Sequence, residues 1–156
     1  MPMIKNAALP RLWPLLFPLT YLLHIAEENY CGERFYNWAS RLSGIHLTEQ
    51  AFLQLNAIAW IVMTIACLMA VWKTISVIVI PLATVVLLNG TLHVAGTIFS
   101  ATYSPGLVTG LLLWIPLGIM TLWQIHKIVS RGRFWIGVAS GIVLHGLVSL
   151  AAISAG

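Results

Sequence analysis

The sequence predicts an all-α polytopic membrane bundle of five transmembrane helices, built as a single integral membrane domain over residues 1–156. Three observations carry this. The chain is 60% hydrophobic and 8% charged, whereas a soluble domain carries about 25% charged residues. It contains five apolar runs of about the 20 residues that a spanning helix needs. Between those runs lie only short polar stretches, so little mass is left to stand outside a bilayer.

The first run covers about 12–30 and follows Lys5 and Arg11. No small-x-small cleavage motif ends it, as a secretory leader requires. It ends instead in HIAEENY, residues 24–30. Residues 31–46 (CGERFYNWASRLSGIH) interleave charges with aromatics, the pattern of an interfacial segment between helices 1 and 2. The second run covers 50–72 and the third 75–100. TYSPG at 102–106 reads as a tight turn, the fourth run covers 107–126, KIVSRGR at 127–133 is a basic loop, and the fifth run covers 134–154. Pro10, Pro14 and Pro18 open the first helix, while Pro81 and Pro116 are expected to interrupt the third and fourth and to bend them.

With the N-terminus in the cytoplasm, Lys5, Arg11, Lys73, Lys127, Arg131 and Arg133 lie inside and only Arg34 and Arg41 outside. That bias fixes the expected orientation. It also accounts for the net charge of +4 without a nucleic-acid partner. Cys31 and Cys67 are far apart and form no CxxC, which argues against disulfide exchange.

The chain has only four acidic residues, and two of them, Glu27 and Glu28, stand in the first apolar run. Ionisable groups at membrane depth usually line a cavity or pair with each other, because hydrocarbon penalises them by a few kcal/mol. Thr20, His24, Glu27, Glu28 and Cys31 fall on one helical stripe; Asn89, His93, Gly96, Thr97 and Ser100 form another. Gly137, Gly141 and His145 are spaced by four, and the two glycines make a GxxxG face able to pack internally or against a second copy. Counted at 1.5 Å per residue from the nearest inner basic residue, Glu28, Asn56, His93 and His145 all fall roughly 18–30 Å above the cytosolic boundary. A common layer implies one site.

Three short motifs lie across this region: H-I-A-E-E at 24–28, N-G-T-L-H at 89–93 and Y-S-P-G at 103–106. Together, in this order, they make the chain similar to the HXXEE family of small bacterial integral membrane proteins. The resemblance implies a compact helical membrane fold in a bacterial cytoplasmic membrane. It singles out His24, Glu27, Glu28, Asn89, His93, Tyr103, Pro105 and Gly106, and brings no established activity with it.

The chemistry expected from the residues is metal-dependent hydrolysis of a membrane lipid or other amphiphile. His24 and Glu28, at i and i+4, project from one face as the paired ligands of a zinc helix do. His93 is the third candidate ligand and His145 a candidate fourth, with zinc the foremost metal. Glu27 would stand beside them as general base, Asn89 would orient an imidazole or polarise a carbonyl, and Tyr103 would reach a hydroxyl into the mouth of the site. Metal-free acid–base isomerisation of an isoprenoid or sterol-like lipid is the main alternative, with one of two adjacent carboxylates keeping its proton. A small-solute or proton carrier could use the same carboxylates. Axial haem ligation by His93 and His145 fits poorly, since their depths differ by roughly 12 Å.

Each residue also has a plainer reading. The glutamates could snorkel to outer water, and the buried histidines or Asn56 could join neighbouring helices. His46 and His126 read as interfacial, and the seven tryptophans as an aromatic belt.

Overall fold

The computed structural model describes residues 11–73 and 76–154. Among these residues there is no strand, and six helices account for the fold: α1 (Leu16–Tyr30), α2 (Phe35–Ser43), α3 (Glu49–Lys73), α4 (Val79–Ser100), α5 (Leu107–Ile125) and α6 (Arg131–Ser154). The helix α4 is the axis of the bundle. It packs against α5 on one side and α6 on another, while α1 lies on α3 and touches the start of α5.

Four helices (α3 to α6) are long and apolar enough to cross a membrane, and the chain is an integral membrane protein by that character. The helix α1 has 15 residues, roughly 22 Å at 1.5 Å per residue against a hydrocarbon thickness of about 30 Å. A 3-10 turn at Trp13–Leu15 extends it toward the N-terminus. Pro14 and Pro18 sit in these first turns, where backbone N–H groups have no helical acceptor to lose. Pro10 and Lys5 lie outside the described residues.

Of the interruptions expected from proline in the later helices, that at Pro81 is corrected, while at Pro116 the α-helical pattern does break. Pro81 falls in the first turn of α4, where proline interrupts nothing. Pro116 is accommodated by a π-helical turn over Gly110–Trp114, in which the Ile115 N–H reaches back to the Gly110 carbonyl. A wider turn of this kind relieves the clash between a proline ring and the preceding turn. The fifth run also begins earlier than expected, at Arg131, so the basic loop is shorter by three residues than 127–133.

The interfacial segment becomes α2, lying across the end of the bundle where α1 ends and α3 begins. Trp38 is buried against Gly96 and its indole N–H bonds the Thr102 hydroxyl at 3.1 Å. Arg34 pairs with Glu49 at 3.0 Å and Arg41 with Glu33 at 2.7 Å. The Arg41 hydrogen bonds hold the Glu33 carboxyl below its usual range, so that pair is ionised at neutral pH. At the opposite end, Arg11 donates to the Val71 carbonyl at 3.3 Å. No carboxylate stands there for Lys127, Arg131 or Arg133, because all four acids of the chain lie in or beside the α2 end.

The GxxxG face packs internally. A Cβ on Gly137 would meet Ile80 at 2.7 Å, and one on Gly141 would meet Thr84 at 2.6 Å. Both contacts are with α4.

Candidate metal centre

Three polar side chains are buried together where α1 meets α4. His24 is 1% exposed, Glu28 4% and His93 4%. The Glu28 Oε1 lies 3.6 Å from His24 Nε2 and 3.3 Å from His93 Nε2, and one ligand atom from each of the three residues lies within 4.8 Å of the others. In a tetrahedral site with ligands at 2.0–2.2 Å, ligand atoms are separated by roughly 3.4 Å. Two of the three separations already match.

The local causes are visible in each motif. One turn of α1 puts His24 and Glu28 on one face, and the 100° step between successive residues turns Glu27 a different way. In N-G-T-L-H, His93 supplies the imidazole and Asn89 lies one turn earlier on the same helix, its Oδ1 buried without a hydrogen-bond partner. Gly90 lets α4 touch α5, since a Cβ there would lie 2.8 Å from the Gly110 carbonyl oxygen. In Y-S-P-G, Ser104 Oγ is 2.9 Å from His93 Nδ1. Gly106, at φ +98°, threads between the two imidazoles: a Cβ on it would be 2.7 Å from His93 Cε1 and 2.8 Å from His24 Cε1.

Glu27 is not turned toward the imidazole cluster. Its Oε1 accepts from the Tyr103 hydroxyl and from the Val108 N–H at 2.8 Å, and its Oε2 accepts from the Thr109 N–H at 2.7 Å and the Thr109 hydroxyl at 2.5 Å. It caps the N-terminus of α5 from a different helix, a place where a carboxylate meets free N–H groups and the positive end of the helix dipole. Four donors occupy both oxygens, so the role of free general base expected for Glu27 does not fit its surroundings. The two adjacent acids have separate partners.

Tyr103 lies in the turn between the spans, 41% exposed, with its hydroxyl directed inward to Glu27. Burial and then the bond to Glu27 push the phenol above its ordinary value, so it stays a donor across neutral pH. Removing that hydroxyl in Tyr103→Phe is expected to reduce stability by about 1.5 kcal/mol, the low end for a bond to a charged group, measured by thermal unfolding in detergent. Tyr103, Glu27 and Thr109, with Leu23, Ala26, Tyr30, Cys31 and Val108, line a groove of about 480 Å³ between α1 and α5.

His145 is not part of the three-residue group. It is half-buried on α6, where its nearest bonding partner is Ser149 of the same helix. Counting depth from Arg133 placed it at a plausible height without fixing its direction. Asn56 accepts from the Tyr21 hydroxyl at 2.8 Å and so ties α3 to α1. Neither glutamate snorkels: Glu27 is 6% exposed.

Sequence reasoning missed Thr109, whose Oγ1 is 2.7 Å from His24 Nδ1, and Trp114, read as part of a belt. Trp114 is buried and stacks on His24 with ring centroids 3.7 Å apart. The π turn, which no residue spacing announces, sets its direction. Trp38 likewise leaves the belt for the interior, whereas Trp72, Trp123 and Trp135 stay exposed at the periphery. His46 and His126 are exposed, as expected of interfacial residues.

These features define an all-helical integral membrane protein with a buried histidine–glutamate cluster held by three sequence motifs. The family of proteins of unknown function with an HXXEE motif matches over residues 15–121. The chain belongs to that family. No curated protein and no solved structure matches it significantly.

Proposed function

We propose that the chain is a membrane-embedded, metal-dependent enzyme of hydrolase type acting on a lipid or other amphiphile, with a divalent metal, zinc foremost, held by His24, Glu28 and His93. The observation that carries this reading is the convergence of those three ligand atoms, with His24 Nε2 buried and lacking any hydrogen-bond partner. A buried polar atom without a partner is unusual and calls for one. Charge supports the same reading. Glu27 and Glu28 are both buried, and no lysine or arginine side chain pairs with either among the described residues. Two carboxylates in an apolar interior are costly, and a divalent cation makes the group formally neutral.

Three protein ligands leave a coordination position free, as catalytic zinc sites do. A bound divalent cation there supplies Lewis-acid polarisation of an ester or amide carbonyl. The chain's own residues do the rest: Asn89, one turn before His93 on α4, has a buried and unpartnered Oδ1, and Trp114 fixes the plane of His24. The groove beside Glu27 and Tyr103 gives an amphiphile a place next to this centre. Metal-free acid–base chemistry is the second reading, favoured by the 3.3 Å approach of Glu28 Oε1 to His93 Nε2, which one shared proton also satisfies.

In the membrane, α1 and its 3-10 extension form a fifth span, with Leu19, Leu22 and Leu23 exposed to lipid. The N-terminus is cytoplasmic, because the end carrying Arg11, Lys127, Arg131 and Arg133 has no compensating acid while the two arginines of the other end are paired. The bacterial cytoplasmic membrane is the setting. Protein purified in mild detergent without chelator is expected to contain about one divalent ion per chain, and lipid extracts incubated with it to yield a new hydrolysis product. Absence of a stoichiometric metal, with no uptake of added Zn²⁺ or Co²⁺, sinks the metal reading in favour of acid–base chemistry.

A further inference from the structure

We infer that Glu27 and Thr109 form a positioning relay that decides which nitrogen of His24 carries its proton. The consequence for metal binding rests on the reading above; the relay itself does not.

The accounting starts from the Thr109 hydroxyl, which has one proton to give. Two acceptors compete for it: Glu27 Oε2 at 2.5 Å and the Gly106 carbonyl at 3.5 Å. The short, charge-assisted bond to the carboxylate wins. The hydroxyl oxygen also lies 2.7 Å from His24 Nδ1. With its proton committed to Glu27, Thr109 can only accept at that contact, so Nδ1 must be the protonated nitrogen of a neutral imidazole. Nε2 is then a bare lone pair, directed at the same space as Glu28 Oε1 and His93 Nε2.

Glu27 holds this direction because it has no freedom of its own. The Val108 and Thr109 N–H groups and the Tyr103 hydroxyl occupy the rest of its acceptor capacity. Trp114, stacked on the ring at 3.7 Å, resists the flip that would exchange the two nitrogens. A carboxylate, a hydroxyl and an imidazole in series thus set the tautomer, as the outer-shell partners of metal-bound histidines commonly do. The pairing of two glutamates in the motif has its explanation here: Glu28 faces the centre, and Glu27 polarises it from behind.

The test uses the full chain in detergent with ¹⁵N-labelled histidine, the His24 signals assigned by their loss in His24→Asn. Imidazole ¹⁵N shifts report the protonated nitrogen directly. In the metal-free wild type, His24 is expected to be protonated at Nδ1. Thr109→Val, which removes the acceptor, is expected to shift His24 toward the Nε2–H form, and Thr109→Ser to restore the wild-type pattern. Affinity for Zn²⁺ is expected to fall roughly 10–100-fold in Thr109→Val and to recover in Thr109→Ser. A wild-type His24 protonated at Nε2, or a Thr109→Val spectrum identical to wild type, overturns the relay. Should Thr109→Val fail to fold, the wild-type tautomer alone decides. A wild type that binds no metal but holds Nδ1–H retires the metal reading and leaves the relay standing.

Discussion

Glu28→Gln is expected to abolish metal binding while leaving the chain folded in detergent. An amide has the same size as the carboxylate it replaces, so the packing between α1 and α4 survives. What changes is the donor set. Glu28 Oε1 is the atom common to both short approaches, 3.6 Å to His24 Nε2 and 3.3 Å to His93 Nε2. A neutral amide oxygen is a far weaker ligand than a carboxylate, and the amide can instead turn its N–H groups toward the two nitrogens and satisfy them. The loss is expected to exceed the roughly 10–100-fold typical of an outer-shell partner, read as metal per chain by elemental analysis and as Zn²⁺ affinity by titration. His93→Ala is expected to match it. His145→Ala is expected to retain full metal content, because that residue is outside the three-residue group and its Nδ1 lies 3.5 Å from Ser149 Oγ on its own helix. If His145→Ala empties the protein of metal while Glu28→Gln does not, the three-residue assignment is wrong.

That contrast marks how much was legible beforehand. Membrane character follows from the apolar runs, which are long enough at 1.5 Å per residue to cross a bilayer. The pairing of His24 with Glu28 follows from their i, i+4 spacing, which no tertiary contact can alter. Direction across helices is another matter. His145 turns to a neighbour on α6, and Glu27, one residue from a ligand, turns to α5. Rotation about a helix axis is set by packing: the Gly90–Gly110 contact, the π turn before Pro116 and the capping of α5 decide it. Thr109 escaped notice because a threonine in the first turn of a span is ordinary. It acquires its role only because Gly106, three residues earlier, brings that turn up against α1. The start of the first helix is likewise set by packing, since three prolines within nine residues (10, 14 and 18) leave it to tertiary contacts such as Arg11 with Val71.

Gly106→Ala is expected to be the most disruptive single-methyl change in the chain. Two penalties act together. At φ +98° a Cβ is sterically disfavoured, which costs about 1–2 kcal/mol. The added methyl also lands 2.7 Å from His93 and 2.8 Å from His24, and forcing a group into a filled site costs about 1–3 kcal/mol more. Neither imidazole can yield freely. His24 is fixed by Thr109 and Trp114, and His93 by Ser104. The turn must therefore move, and with it the Val108 and Thr109 N–H groups that hold Glu27. At about 2–4 °C per kcal/mol for a chain of this size, thermal unfolding in detergent is expected to fall by roughly 4–20 °C, with metal binding weakened in the fraction that folds. Gly132→Ala is the matched control: it adds the same methyl near the start of α6, where nothing lies within 4 Å. It is expected to leave both unfolding and metal content unchanged. Equal behaviour of the two variants would mean that the Y-S-P-G turn does not pass between the imidazoles, and the three motifs would then have no common centre.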